Sequence, residues 1–258
     1  MRSSTWALES VSVRYGSVQA LSGITLRIAP GDIVGFVGPS GSGKTTLLRV
    51  LQTAVVPTSG SVHYGDLDYA QLSSKQLQQH RAELGFVPQS HALVPNQNVL
   101  YNVLTGRLGR TSFLGSARSL LFPSRNETEE VYRVLERVGI PEKIYQRVDQ
   151  LSGGQQQRVA VARALYQNPT VILADEPVSN MDPARARSTL EFLTRVSREE
   201  QLSLCLSLHD LELALEYCPR LVGLRKGTVR FDSAPDALTK SDFEALYKLS
   251  SKEILEDG

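Results

Sequence analysis

The sequence of 258 residues has no long apolar run, few cysteines and no excess of either charge. No segment reaches the roughly 18 apolar residues of a membrane-spanning helix. The first sixteen residues lack the apolar centre of a signal peptide. We therefore expect a soluble, cytoplasmic protein that reaches a membrane only through a partner. The 28 Lys and Arg residues nearly balance 27 Asp and Glu residues, so no nucleic-acid surface is predicted.

The two cysteines exclude two further classes of protein. Cys205 and Cys218 match no metal-binding spacing and cannot form a disulfide framework. We predict buried or incidental thiols in a reducing compartment. The length suits one large α/β domain, or such a domain with an insertion.

Short apolar runs alternate with helical patterns, which predicts an α/β fold. Buried strands are expected at 32–38, 170–176 and 202–210, with a helix over 44–52. Continuous apolar strands indicate a sheet covered on both faces. Antiparallel strands are predicted near the N-terminus in "TWALESVSVRY" and "ITLRIAP", and "RLVGLRKGTVRFD" predicts a hairpin that turns at Lys226 and Gly227.

The middle of the chain has helical periodicity and no strand pattern. Asn126 is the expected N-cap of one helix, because Glu129 follows at the spacing of a capping box. The apolar face of this helix is predicted to comprise Val131, Val134, Leu135 and Val138. We expect a helical subdomain at about 98–165, inserted in the α/β core.

The stretch "VGPSGSGKTT" fits the phosphate-binding pattern G-x-x-x-x-G-K-[ST]. A strand before the loop and a helix after it favour phosphate binding over an ordinary Gly/Ser-rich turn. Backbone N–H groups would surround the phosphates, Lys44 would reach the β- and γ-phosphates, and Thr45 would ligate Mg²⁺. The predicted binding loop consists of Gly38, Pro39, Ser40, Gly41, Ser42, Gly43, Lys44, Thr45 and Thr46.

A second motif, "VILADEPVSNMD", supplies two carboxylates at the end of a buried strand. Asp175 is placed to bind Mg²⁺, directly or through water. Glu176 would point towards the γ-phosphate and polarise an attacking water. A solvated acidic pair is the alternative, but the preceding apolar residues bury the strand. The two motifs together predict hydrolysis of a magnesium nucleotide.

The stretch "LSGGQQQRVAVARAL", residues 151–165, makes the sequence resemble the ATPase subunits of ABC transporters. The resemblance covers nearly the whole chain. It implies one ABC-type domain over 1–258, with a P-loop NTPase core, an N-terminal antiparallel β-subdomain and the helical insertion. The implied ligands are ATP and Mg²⁺.

The resemblance also implies roles for residues outside the two phosphate motifs. Tyr15 would stack on adenine, although it could be an ordinary strand aromatic. Gln89, in "GFVPQS", would sense Mg²⁺ and the γ-phosphate. Asp182 would lie at a dimer interface. His209 would be a catalytic switch histidine, although a lone histidine is more often structural. The signature loop would comprise Ser152, Gly153, Gly154 and Gln155.

In this family, ATP lies between Lys44 of one chain and Ser152 of the other. The resemblance therefore implies a head-to-tail homodimer. It also implies transmembrane permease subunits, docked near 89–101, and a periplasmic or lipoprotein substrate-binding protein. The expected location is the cytoplasmic face of the inner membrane.

Rival ATPases of the same superfamily fit less well. DNA-maintenance ATPases carry a long coiled coil or zinc insertion, and translation factors carry two cassettes. A regulatory module without turnover would be expected to lose Glu176 or His209, and both are present. A single compact cassette is usual in importers, although exporters can also use one.

Three stretches resemble the phosphonate-import ATPases in particular: "PQSHALVPNQNVLYNVLTGRLGR", "SLLFP" and "ALYQNPTVILADEPVSNMDP". The implied cargo is a phosphonate or a related oxyanion such as phosphite. Importers of polar amino acids remain an alternative. The segment 106–126 has four arginines and no acidic residue. It is either a solvated basic loop or a contact with the permease or anionic lipids.

Overall fold

The computed structural model describes residues 4–110, 113–179 and 181–247, which form two β-sheets and surrounding helices. The strands are β1 (Trp6–Tyr15), β2 (Val18–Ile28), β3 (Ile33–Val37), β4 (Ser59–Tyr64), β5 (Leu67–Asp68), β6 (Leu84–Val87), β7 (Val171–Asp175), β8 (Ser203–Leu208), β9 (Arg220–Arg225) and β10 (Thr228–Ser233). The α-helices are α1 (Lys44–Leu51), α2 (Ser74–Arg81), α3 (Val99–Leu104), α4 (Phe113–Leu121), α5 (Arg125–Arg137), α6 (Gly153–Tyr166), α7 (Pro183–Glu199), α8 (Leu211–Tyr217) and α9 (Lys240–Tyr247).

The central sheet has the order β10-β9-β3-β8-β7-β6, and its strands from β9 to β6 are parallel. Alternate residues of β3 enter two different cores: Ile33 and Val37 pack on one face, and Val34 and Phe36 on the other. All five residues of β3 are buried. The predicted coverage of both faces is therefore confirmed.

The second sheet has the order β2-β1-β4-β5 and is antiparallel. Its inner residues, among them Trp6 and Leu26, share one core with α1 and with one face of the central sheet. The predicted N-terminal antiparallel strands and the late β9–β10 hairpin are confirmed. The sequence analysis did not identify β4, β5, β6 or α2.

The helices between β6 and β7 correct one detail of the sequence analysis. The N-cap of α5 is Ser124, not Asn126, and its capping box uses Glu127 rather than Glu129. The Ser124 hydroxyl accepts the Glu127 N–H, while the Glu127 carboxylate accepts the Ser124 N–H at 2.7 Å. The helix therefore begins two residues earlier, and Glu129 instead pairs with Arg125. The predicted apolar face, Val131, Val134, Leu135 and Val138, is buried.

The arginines of 106–126 have partners in neighbouring elements, since α4 lies within this segment and α5 supplies glutamates. The ion pairs join Arg107 to Glu130, Arg118 to Glu127, and Arg125 to Glu129. Arg110 donates to the Ala82 carbonyl at 2.8 Å. Glutamates of α5 therefore offset much of the positive charge that the segment carries in the sequence.

Within residues 4–110, 113–179 and 181–247, no helix combines the length and apolar character needed to span a membrane.

Cys205 and Cys218 are both buried free thiols, and burial raises the pKa of each. This confirms the prediction that they are buried.

A buried polar cluster joins the antiparallel sheet to α1 and α2. The Tyr69 hydroxyl accepts from Trp6 Nε1 at 2.7 Å, donates to the Leu51 carbonyl at 3.0 Å and lies 2.7 Å from His80 Nε2. His80 is 2% exposed, and its Nδ1 has no hydrogen-bond partner among the described residues. Burial, with a smaller contribution from Arg81, lowers the pKa of His80 to about 4.

The buried imidazole predicts a loss of stability in acid. Between pH 6.5 and about pH 4, the unfolded chain binds a proton at His80 that the folded chain excludes. The free energy of unfolding should therefore fall as pH falls, by about 2–3 kcal/mol at pH 4.5 from this residue alone. Urea unfolding at pH 7 and pH 4.5 measures the effect. His80→Gln should flatten the dependence, and an unchanged pH slope would show that His80 is not its source.

Candidate nucleotide site

The loop between β3 and α1 requires glycine at specific positions. Gly38, Gly41 and Gly43 have φ values of 149°, 74° and 108°, a region that favours glycine. A Cβ at Gly38 would lie 2.0 Å from the Leu224 carbonyl oxygen, and one at Gly43 would lie 2.8 Å from the Ala20 carbonyl oxygen. The loop can therefore follow this path only with bare backbone at these two positions.

Lys44 lies inside the loop that it follows. Its ammonium donates to the carbonyls of Gly38 at 2.7 Å and Pro39 at 3.1 Å, and the residue is only 4% exposed. Burial lowers the pKa of Lys44, while Glu176 and Asp175 act in the opposite direction. The lysine is thus a buried cation with two carboxylates nearby.

Asp175 ends β7 and is fixed by two hydroxyl groups. Thr45 Oγ1 lies 3.1 Å and Ser207 Oγ 2.7 Å from the same carboxylate oxygen, Oδ1. Ser207 is fully buried on β8 and also accepts the Glu176 N–H at 2.8 Å. The hydroxyl of Thr45 and the carboxylate of Asp175 are oxygen ligands of the kind Mg²⁺ prefers, and Mg²⁺ sites commonly need only one or two carboxylates besides phosphates and water.

Side chains that follow three neighbouring strands meet at Glu176. Its carboxylate accepts from Gln89 Nε2 at 3.0 Å and pairs with His209 Nε2, an ion pair when the imidazole is protonated. Gln89 follows β6, Glu176 follows β7 and His209 follows β8. Glu176 has a φ of 47°, an unusual value for a residue with a side chain. The structure therefore brings together three residues that the sequence separates by up to 120 positions.

A cavity of about 240 Å³ lies beside this junction, lined by 18–20, the loop 40–46, Glu176 and His209. Ser42 lines the cavity, and its buried hydroxyl has no hydrogen-bond partner among the described residues. The unsatisfied hydroxyl, the glycine backbone and the nearby lysine fit a phosphate group. Tyr15 is outside this lining, at the end of β1, and is 46% exposed.

The signature residues are not part of the lining of this cavity. Ser152 is the N-cap of α6 and forms a capping box with Gln155. The Ser152 hydroxyl accepts the Gln155 N–H at 3.4 Å, so its own proton remains available to a further acceptor. Of Ser152, Gly153, Gly154 and Gln155, none lines the cavity. One chain therefore does not bring this loop to its own phosphate-binding loop.

Asp182 has a local structural role in the single chain. It is the N-cap of α7 and accepts the Arg185 N–H at 3.1 Å. Its other carboxylate oxygen pairs with the Arg185 guanidinium, also at 3.1 Å. The neighbouring residues Met181 and Pro183 line a second cavity, of about 220 Å³, that also contacts Glu176 and His209. The neighbours of Asp182 thus line a cavity shared with Glu176 and His209, while the Asp182 side chain itself binds Arg185 of α7.

Comparison with known proteins shows the family of this chain. The profile of the ABC transporter family matches residues 21–179. The chain belongs to the ABC transporter family. A relative from Pseudomonas putida, named phosphonates import ATP-binding protein PhnC, is 44% identical over 93% of this chain and 88% of its own length. A relative from Halalkalibacterium halodurans, named PhnC 3, is 39% identical over 96% and 95%.

Solved structures of the family share the fold. An ATP-binding cassette solved as a dimer after hydrolysis, bound to ADP and Pi, is 29% identical to this chain, with a TM-score of 0.73 over 90% of this chain and all of its own. A cassette in its ADP conformation has a TM-score of 0.80 at 23% identity and covers 99% of both chains. The α/β P-loop fold of an ABC cassette is thereby confirmed.

Ser207 is the site residue that the sequence analysis missed. It is one of the polar residues in the apolar run "LSLCLSLH", and it lies two positions before His209. A fully buried hydroxyl within a strand needs a partner, and here the partners are Asp175 and Glu176. That polar interruption was the available signal.

Removal of this hydroxyl predicts a specific defect in magnesium use. Ser207→Ala should leave the Asp175 carboxylate less constrained and raise the Mg²⁺ concentration for half-maximal ATP hydrolysis by about 10–100-fold. Ser197→Ala is the matched control, since Ser197 is equally buried and its hydroxyl has no described partner. Equal Mg²⁺ requirements for the two variants would contradict the role of Ser207.

Proposed function

We propose that this chain is the ATP-hydrolysing subunit of an ABC importer for phosphonates or related phosphorus oxyanions. The observation that carries the chemical part is the junction of Gln89, Glu176 and His209 beside a glycine loop with a buried lysine. The cargo part depends on the relatives, whose names describe phosphonate import. The alternative cargo is another small polar solute, such as a polar amino acid.

The proposed roles follow from position. The loop 38–46 binds the phosphates of ATP, and Lys44 exchanges its two carbonyl acceptors for phosphate oxygens. Thr45, Asp175 and Gln89 would hold Mg²⁺, which would neutralise charge on the phosphates. Tyr15 stacks on adenine. The exposure of Tyr15 at a strand end is compatible with that role.

Hydrolysis requires a base next to the γ-phosphate. Glu176 takes the proton from the attacking water, since its carboxylate lies at the wall of the phosphate cavity. Gln89 and His209 hold that carboxylate from two sides. His209 also contributes positive charge when its imidazole is protonated, which stabilises negative charge on the transferred phosphoryl group.

The working enzyme is a head-to-tail homodimer. The absence of Ser152, Gly153, Gly154 and Gln155 from the cavity lining supports this proposal, because a second copy would bring them to ATP. The Ser152 proton and the α6 N-terminus suit an anion. One related cassette was solved as a dimer in two separate structures. Asp182 lies at the dimer interface in this arrangement.

The remaining partners lie at the cytoplasmic face of the inner membrane. Residues 98–165 form the inserted helical subdomain of a single 1–258 domain, and the permease docks in the groove near 89–101. Val94 in this region is 41% exposed. A periplasmic or lipoprotein binding protein delivers the cargo to the permease. Opening and closing of the dimer then drive the permease.

The cargo proposal predicts a growth phenotype. Deletion of this gene should abolish growth on a phosphonate or phosphite as sole phosphorus source and leave growth on inorganic phosphate intact. A plasmid copy should restore growth, and a copy with Lys44→Ala should not. Unchanged growth and uptake in the deletion strain, with no duplicate system present, would overturn the cargo assignment. A strain impaired instead in uptake of a polar amino acid would favour the alternative.

A further inference from the structure

The segment that follows Gln89 has an unusual backbone. His91 and Ala92 are consecutive residues with side chains, and their φ values are 59° and 47°. The His91 N–H donates to the Pro88 carbonyl at 3.0 Å, and the Ala92 N–H donates to the Ser90 carbonyl at 2.7 Å. The second bond closes a three-residue turn around a positive φ, the strained form of the γ-turn. An unfavourable conformation of this kind persists only where the surroundings enforce it.

The side chain of Arg163 contacts the backbone of this turn from another element. Arg163 of α6 donates through Nη2 to the His91 carbonyl at 2.6 Å and through Nη1 to the Ala92 carbonyl at 2.5 Å. The guanidinium donors have a fixed fork geometry, so the two bonds fix the orientation of both peptide groups. Burial lowers the pKa of Arg163, but an arginine remains charged in proteins, and charge-assisted bonds of this kind are strong.

The turn lies between the nucleotide site and α3. On its N-terminal side, Gln89 donates to the Glu176 carboxylate at 3.0 Å. On its C-terminal side, Asn102 of α3 accepts the Val94 N–H at 2.8 Å and donates to the Val94 carbonyl at 3.1 Å. The chain is thus fixed at Val94. The position of Gln89, which precedes the turn, therefore depends on the backbone conformation at 91–92.

The N-terminal end of α6 lies at the signature serine. Ser152 caps the helix and Arg163 lies eleven residues later, about 16 Å along the axis of a rigid helix. A helix that moves as a unit would carry the two carbonyl contacts of Arg163 with it. Arg163 therefore provides a connection between the helix that begins at the signature loop and the segment that carries Gln89.

We infer that Arg163 is a positioning residue: it holds His91 and Ala92 in the left-handed conformation and thereby keeps the Gln89 amide on the Glu176 carboxylate. It does not contact the reacting atoms. This role depends on the proposed ATPase activity, because its effect on turnover is exerted through Glu176.

The first test separates turnover from nucleotide binding. Arg163→Gln should lower kcat for ATP hydrolysis by about 10–100-fold, as expected for a misplaced reacting group. The KM for ATP and the affinity for a fluorescent ATP analogue should change little, because the loop 38–46 is intact. Should Arg163→Gln fail to fold, Arg163→Lys replaces it, since lysine keeps the charge but lacks the fork. A wild-type kcat in either folded variant would overturn the inference.

The second test is rescue by glycine. Glycine adopts positive φ at little cost, so Ala92→Gly in the Arg163→Gln protein should restore most of the lost kcat. Gln201→Gly is the matched control. Gln201 also has a positive φ, 53°, but lies in an exposed turn before β8. Rescue by both glycines, or by neither, would contradict the inference, because a general stabilising role for Arg163 would not depend on the backbone at residue 92.

A third measurement does not require activity. Amide hydrogen exchange at 91–92 should accelerate in Arg163→Gln and remain unchanged at 201. Unchanged exchange at 91–92 would show that Arg163 does not hold the turn. If the wild-type protein hydrolysed no ATP, the proposed function would fail, and the exchange measurement would still decide whether Arg163 fixes this segment.

Discussion

The parallel register of β6, β7 and β8 is the constraint on which the site depends. Asp175 lies directly opposite Ser207 in this register, and their hydrogen bond at 2.7 Å fixes the carboxylate at the strand end. Glu176 is the first residue after β7, and His209 is the first residue after β8. A slip of one residue would turn every side chain to the opposite face. The two cores on either side of the sheet prevent that slip, because alternate residues of each strand are buried in different clusters.

The elements and site residues that could be predicted from sequence were those where the residue type itself indicates the structure or the chemistry. The glycines before Lys44, the continuous apolar strands and the two carboxylates at the end of β7 all lie where they were expected. The N-cap of α5 was misplaced, because Ser124 and Asn126 each precede a glutamate at the capping distance. The strand β4, "SGSVHY", was not found because only Val62 and Tyr64 are buried. Ser207 and Arg163 act through contacts between distant elements, which spacing along the chain does not reveal.

In the proposed dimer, each chain would contribute two separate halves of a nucleotide site. The loop 38–46, Asp175 and Glu176 would form one half, and the N-terminus of α6 would form the other. The N-terminus of α6 is not part of the lining of the first cavity, and the Ser152 hydroxyl retains a proton that no described group accepts. In this account, the long helix α6 connects the halves mechanically. A nucleotide bound between two copies would then be sensed at both ends of the same helix.

The most direct measurement of the central claim, that Glu176 is the base at this junction, uses Glu176→Gln with ATP and Mg²⁺. Glutamine keeps the shape and can still contact Gln89 and His209, but it cannot accept the proton. The account predicts hydrolysis slowed by about 10²–10⁴-fold, ATP that remains bound, and a shift from monomer to dimer in size-exclusion chromatography. Hydrolysis at the wild-type rate would contradict the account.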